Sequence, residues 1–247
     1  MKLSKAIVLI IPVKNEEKNI SNLIDNIFKI KNYKKISVIF IDDKSTDLTT
    51  SIIKQKKNKN GNIYLLERNL KKFFNQRGSA LLDGLKYINN KNLIFDFCVE
   101  LDGDLSHDPE EIIIGLNKLS EARADIVIGS KYLKKSKIIN RSKLRNYLSY
   151  VCKVIFSLFF SLKIADFTNG FRIYSKKVAE KTIKKSFNEE GPLFLVESLL
   201  FWKKENFKIE EFPSSYYGRS EGNSKLNYFD YLNYLFKMIL LIFKSKN

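Results

Sequence analysis

The sequence predicts an α/β fold, with a mostly parallel central sheet, helices on both faces and a C-terminal amphipathic helix. Apolar, β-branched runs alternate with helical-period stretches through the first 130 residues. The runs are continuous rather than alternating, as strands buried on both faces are. Each run ends in polar residues, where ligands of such sheets collect.

In order, Ala6–Ile11 reads as a buried strand, and Glu16–Ile30 as a helix with Ile20, Leu23, Ile24, Ile27 and Phe28 on one stripe. Ile36–Ile41 is a second strand, ended by Asp42-Asp43-Lys44-Ser45-Thr46-Asp47. Thr46 or Ser45 can cap a helix running to about Lys57, and Asn58–Gly61 reads as a turn. Ile63–Leu66 is a third strand, and Ser79–Ile88 is helical, with Leu81, Leu82, Leu85 and Ile88 together.

Phe95–Leu101 is the fourth strand, and it ends in Asp102 and Asp104 around Gly103. Residues i and i+2 of an extended chain point the same way, so both carboxylates can converge on one point. Two hard oxygen ligands at a strand end suit a divalent cation holding a diphosphate. Asp-Gly-Asp is also a common turn sequence, and the clusters Pro12–Glu16, Asp42–Asp47 and Gly129–Tyr132 at the same sheet edge favour the site. Asp108-Pro109-Glu110-Glu111 reads as a helix start, with Asp as N-cap and Pro at the first helical position. Ile112–Leu119 is helical, and Asp125–Gly129 is a fifth strand. His107 could touch a phosphate or the cation, although a loop or capping histidine is the plainer reading.

The second half is less regular. Tyr147–Ile164 is apolar with Ser149, Lys153, Ser157 and Ser161 as a polar stripe, and Asp166–Arg172 is a polar loop. Leu193–Lys203 is a helix in which Glu197 is either paired inside the fold or functional. Ile209–Phe212 is a last strand, followed by a glycine-flanked loop in which Arg219 and Lys225 can close on phosphates. Over Tyr228–Phe243, Asp230, Asn233, Lys237 and Lys244 line one polar stripe. Sixteen helical residues span about 24 Å, short of the ~30 Å hydrocarbon core. This piece reads as an interfacial helix, or as a helix packed on its own domain.

Composition narrows the function classes. The 247 residues carry 44 basic and 27 acidic side chains, a formal +17 that favours nucleic acid, acidic membrane or phosphorylated partners. No G-x-G-x-x-G follows the first strand and no G-x-x-x-x-G-K-[ST] occurs, so dinucleotide and P-loop chemistry fall away. One histidine and no G-x-S-x-G leave no basis for a Ser/His triad. Cys98 and Cys152 lack any C-x-x-C or Cys/His pattern and read as buried thiols of a reducing compartment, without structural zinc. The run Ala6–Ile11 has no cleavage site after it, so no signal peptide is expected.

Taken together, Ile11–Glu16, Ile41–Asp47, Glu100–Asp104 and Gly129–Tyr132 resemble, in order and spacing, the family 2 glycosyltransferases of GT-A fold. Asp102–His107, Asp166–Arg172 and Arg219–Lys225 resemble the dolichyl-phosphate mannose synthase branch. The resemblance runs over residues 6–245 and implies one GT-A domain over 1–225, with 226–247 as the amphipathic helix. It implies that Pro12, Lys14 and Glu16 line the base and ribose, with Ile41 and Asp43 beside them. Asp102 and Asp104, with the Gly103 backbone, would hold Mg²⁺ or Mn²⁺ and the diphosphate. Lys131, Arg219 and Lys225 would be the catalytic cations, bound to donor or acceptor phosphates.

The implied activity is transfer, with inversion, of a mannose or glucose from a nucleotide-diphosphate sugar to a polyprenyl (dolichyl or undecaprenyl) phosphate. It would take place at the cytoplasmic membrane face, with peripheral membrane contact and no nucleic acid. Lys14 stands where the family usually has Tyr, Lys44 where Gly or Asn is usual, and Lys131 where Arg is usual. Asn69–Gly78 keeps Arg77 and Gly78 but not the glycine-rich form. These departures leave nucleotide and sugar open. Two rival readings are a same-fold transferase with a saccharide or other lipid acceptor, and a non-catalytic basic protein that binds membrane or nucleic acid. Paired carboxylates argue against the latter, because without a metal they would repel phosphate.

Overall fold

The first apolar run becomes the central strand, β1 (Ala6–Val13), in a computed structural model that describes residues 5–30, 35–69, 77–159, 164–189, 191, 193–218 and 237. β1 pairs in parallel with β2 (Lys35–Asp42) on one side and with β4 (Phe97–Glu100) on the other. β3 (Ile63–Glu67) extends the sheet beyond β2. On the far side, β5 (Ile126–Ser130) pairs in parallel with β8 (Ile209–Pro213), and β7 (Arg172–Ser175) lies antiparallel between β4 and β5. The order is therefore β3-β2-β1-β4-β7-β5-β8, mostly parallel. It reverses between β1 and β4, the switch point where open α/β sheets bind ligands beyond the carboxyl ends of their strands.

Alternation along β1 sends Val8 and Ile10 into one core layer and Ile7, Leu9 and Ile11 into the other. The second layer is closed by α1 (Glu17–Lys29), α2 (Thr49–Lys59) and α4 (Glu111–Glu121), through Ile20, Leu23, Ile24, Ile27, Ile53, Ile112 and Leu116. The first is closed by α3 (Arg77–Asn90), α6 (Lys176–Lys184) and α7 (Phe194–Lys204). Phe156 of α5 (Lys143–Phe159) joins it and stacks on Phe167 with centroids 3.9 Å apart. A two-stranded parallel ribbon of β6 (Ile138–Ile139) and β9 (Tyr216–Tyr217) sits apart from the main sheet.

Several details differ from the sequence expectation. The Asp166–Arg172 loop ends at Asn169–Phe171, and Arg172 already opens β7; neither β7, α6 nor the β6–β9 ribbon was expected. Asp108 caps the turn that leads into the helix, its Oδ1 accepting the Glu110 N–H at 2.9 Å, but α4 begins at Glu111 rather than at Pro109. Ser45 and Thr46 do not cap α2: the Ser45 N–H and hydroxyl donate to Asp42, and the Thr46 hydroxyl is turned to Asn15 Oδ1. The helix starts at Thr49, and Asp47 Oδ1 accepts its N–H. Arg219, Lys225 and the C-terminal segment apart from Lys237 lie outside the described residues, as does the Cys152 side chain.

Candidate active site at the carboxyl ends of β1, β2 and β4

The chain leaves β1 through Asn15, whose positive φ of 52° is one that Asn tolerates. Its N–H donates to Ser45 Oγ at 2.9 Å and its Oδ1 accepts the Thr46 N–H at 2.8 Å, which joins the ends of β1 and β2. Glu16 is buried at the start of α1 and accepts from Asn19 Nδ2 at 2.9 Å. The Asp102–Asp104 loop closes directly on this segment. A Cβ on residue 103 would lie 2.8 Å from Val13 Cγ1 and 3.3 Å from Pro12 O, so the approach of the two strand ends needs glycine there. The Pro12–Glu16 segment and the Asp102–Asp104 loop therefore meet at these strand ends. Ile41 does not join them: its side chain is fully buried against Gly84, in the core layer under α3.

Asp43 is held by an arginine that sequence reasoning missed. Arg68, at the end of β3, donates from Nη1 to Asp43 at 2.6 Å, from Nε to Asp83 at 2.9 Å and from Nη2 to Ser79 at 2.8 Å. Burial lifts the Asp43 carboxyl above its ordinary value, against the pull of Arg68 and Lys14. The only signal for Arg68 was a cation just past a strand end.

Arg77 ties the acidic pair to the Asn169–Phe171 segment. Its Nε donates to Asp102 Oδ1 at 2.9 Å and its Nη2 to the Gly170 carbonyl at 3.1 Å. A Cβ at 170 would lie 2.2 Å from Arg77 Nη2, so this bridge also depends on glycine. Burial works against the charge on Arg77, but Asp102, Glu100 and Asp104 outweigh it and its pKa stands above the ordinary value. Arg77 Nη1 is buried with no hydrogen-bond partner among the described residues. Beneath the loop, Glu100 accepts from the Tyr174 hydroxyl at 2.9 Å, and burial raises its pKa against the pull of Arg172 and Arg77.

Asp104 is buried and accepts the Ser106 N–H at 3.1 Å. The Ser106 hydroxyl beside it is buried without a hydrogen-bond partner among the described residues. Two carboxylates and an unsatisfied hydroxyl are hard oxygen donors, which fits a magnesium-type ion. Among the described residues no three His, Cys, Asp or Glu side chains cluster, so such an ion would take its remaining ligands from water and substrate phosphates.

His107 faces inward. Its ring packs on Phe171 and Tyr216, with centroids at 5.4 and 5.6 Å, and its Nδ1 lies 3.3 Å from Ser214 Oγ. Ser214 donates to Glu111 at 2.6 Å, which assigns the Nδ1 proton to His107. Burial lowers the His107 pKa despite Asp102, Asp104 and Asp166 nearby. The loop-histidine reading is the one the geometry supports. The Tyr217 N–H donates to the Ser106 carbonyl at 2.9 Å, so the chain passes the acidic loop just before it reaches Gly218.

Lys131, an expected phosphate cation, is buried and paired with Asp166 at 2.7 and 2.8 Å, and its ammonium stacks on Tyr132 at 4.5 Å. Burial lowers its pKa against the pull of Asp166. Asp166 is in turn positioned by Glu211, which accepts the N–H groups of Ala165 and Asp166. Lys14 is half-buried at the rim of β1. Glu197 is a structural residue, because its carboxylate accepts the N–H groups of Asn188 and Glu189 and the Asn188 amide.

The model of the glycosyl transferase family 2 matches residues 8–183, most of the chain and every strand end described above except those of β8 and β9. The chain belongs to this family. Two relatives are similar to this chain over most of their length. One is the polyprenol monophosphomannose synthase of Mycolicibacterium smegmatis, 26% identical over 223 residues, which cover 89% of this chain and 80% of the relative. The other is the undecaprenyl-phosphate mannosyltransferase of Micrococcus luteus, 27% identical over 192 residues, with coverages of 77% and 75%. Among solved structures, glucosyl-3-phosphoglycerate synthase from Mycobacterium tuberculosis with Mn²⁺ and uridine-diphosphate-glucose superposes with a TM-score of 0.67. It is 16% identical, the match covers 98% of this chain and 80% of that one, and the likeness establishes the GT-A fold. No helix among the described residues is long and apolar enough to cross a membrane.

Proposed function

We propose that this family 2 glycosyltransferase moves a hexose, with inversion, from a nucleotide-diphosphate sugar to a polyprenyl phosphate, using Mg²⁺ or Mn²⁺. The observation that carries the reading is the acidic pair Asp102/Asp104 at the switch point of a chain whose relatives, along most of their length, are polyprenyl-phosphate mannose synthases. In this reading residues 1–225 are the catalytic domain, and 226–247 form an amphipathic piece at the cytoplasmic face of the membrane.

Pro12, Lys14, Glu16 and Asp43 line the nucleoside, and Ile41 contributes backbone and shape because its side chain is in the core. Asp102 and Asp104, with the Gly103 backbone, would hold a divalent ion, which when bound would supply positive charge to the diphosphate of the departing nucleotide. Arg77 positions Asp102 and brings its own charge to the same place. The acceptor phosphate oxygen is already an anion at neutral pH, so no side chain has to remove a proton. It bonds to the anomeric carbon as the bond from that carbon to the diphosphate oxygen breaks. The task left to the protein is to hold two anions in line against their repulsion. Arg219 and Lys225 serve the phosphates directly; Lys131 does so by turning from Asp166, or acts through that pair on the loop.

A donor screen tests the proposal: guanosine- and uridine-diphosphate sugars, each with a polyprenyl phosphate in detergent and Mg²⁺ or Mn²⁺, followed by organic extraction. The expected product is an extractable lipid-linked hexose that chelation abolishes. Transfer to saccharide or phosphoglycerate acceptors alone would overturn the lipid-phosphate acceptor.

A further inference from the structure

Residues 131–165 carry nine lysines and arginines and not one aspartate or glutamate, a local +9 within a formal +17. In the structure residues 131–159 of this stretch run from the end of β5 through β6 into α5, and Lys131 and Tyr132 join them to the candidate site. Lys134, Lys135, Lys137 and Lys143 are exposed. So are Ile138, Tyr147, Tyr150 and Val154, at 38%, 65%, 54% and 38% of their surface. Half of the exposed large apolar side chains among the described residues thus fall within seventeen positions, and Tyr217 of β9, which pairs with β6, adds another. Tyr147, Tyr150 and Val154 follow i, i+3, i+7 spacing and share one face of α5.

We infer that this basic, aromatic-studded strip is a docking surface for an anionic lipid bilayer, additional to any contact made by the C-terminal segment. Single-stranded RNA would use the cations and stack bases on exposed rings, but it has no use for exposed Ile138 and Val154 beside them. Exposed Tyr beside Ile, Val and long-stemmed Lys is the mixture that settles at a headgroup boundary, where rings and stems insert and ammonium groups meet lipid phosphates. The strip is also joined to the site. Lys153 of α5 and Lys131 both stack on the Tyr132 ring, at 4.7 and 4.5 Å. Arg141 stacks on Tyr216, the ring that packs against His107. A bilayer seated here lies beside Lys131, which is where a polyprenyl phosphate would present its headgroup. That orientation rests on the acceptor proposed above, whereas the docking itself rests on surface chemistry alone.

The test is flotation of the full chain with phosphatidylglycerol-containing vesicles, phosphatidylcholine vesicles and a single-stranded oligonucleotide competitor. Two variants are compared with the wild type: Lys134→Gln/Lys135→Gln/Lys137→Gln/Lys143→Gln, and Tyr147→Ser/Tyr150→Ser. All these side chains are exposed, and melting curves confirm folding. The wild type should float with anionic vesicles in a salt-sensitive way, and each variant should bind at least tenfold more weakly. Both variants should keep wild-type turnover on polyprenyl phosphate in detergent micelles. Undiminished flotation of both variants, or binding to the oligonucleotide with none to vesicles, overturns the inference. Absence of detergent-phase transfer by the wild type would instead remove the acceptor reading and leave the vesicle result to stand by itself.

Discussion

Arg172 has no solvent exposure and spends its guanidinium on the Asn169, Phe167 and Leu195 carbonyls and on Ser198 Oγ. Burial lowers its pKa to about 10, against the pull of Glu100, so it remains charged at neutral pH. Arg172→Ala would leave those acceptors unpaired and take from the buried Glu100 one of its two nearby cations. The expected cost is about 3–5 kcal/mol in urea denaturation, with Arg172→Lys intermediate because it keeps the charge and loses the fork. His107 gives a pH signature. Its folded pKa is depressed below the ordinary 6.5, so the stability it contributes is present above that value and is lost as pH falls through the folded value. Replacing it as His107→Gln should reduce the drop in melting temperature between pH 7.5 and pH 5.5. An equal drop in both proteins would show that another group sets the acid limit. Neither role was readable from residue type, since a lone histidine and an Arg in a polar loop say nothing about burial.

At the scale of elements, legibility followed the period of the apolar pattern. β1, β2, β4 and β5 are near-continuous apolar runs, and the sequence reading located each within about two residues. β7 offers only Ile173 and Tyr174 between Arg172 and Ser175, and its partners Cys98 and Val99 lie some 75 positions away, so nothing local announced it. α6 buries only Val178, Ala179 and Thr182 among four lysines and a glutamate, too thin a stripe to separate from a loop. The strand that carries the fold most heavily is β1, paired on both edges and covered on both faces. Leu9→Ala, at a fully buried central position, should cost about 2–5 kcal/mol in denaturant unfolding. A loss below 1 kcal/mol would mean that the layer under α1 can collapse around the void.

For the whole molecule, one sheet order explains why polar clusters scattered from residue 12 to residue 132 meet. The strands that precede them are parallel, so their carboxyl ends share an edge, and the reversal between β1 and β4 opens a cleft there. The acidic pair and its neighbours were legible because each motif is contiguous. The pairings that set their charge were not, since Arg68–Asp43 and Lys131–Asp166 join residues 25 and 35 positions apart. Those pairings change the picture of the site: among the described residues Arg68, Arg77 and Lys131 are each paired with a carboxylate, so a phosphate must compete for them or be held by metal. The central claim is that Asp102 and Asp104 hold the ion that stabilises the departing nucleotide. Its most direct measurement is metal-dependent transfer from nucleotide sugar to polyprenyl phosphate by wild type and Asp104→Asn, together with Mn²⁺ binding by each. The account predicts a folded variant that has lost Mn²⁺ binding in the presence of nucleotide and at least a hundredfold in turnover. Wild-type turnover and unchanged Mn²⁺ binding in Asp104→Asn would contradict it.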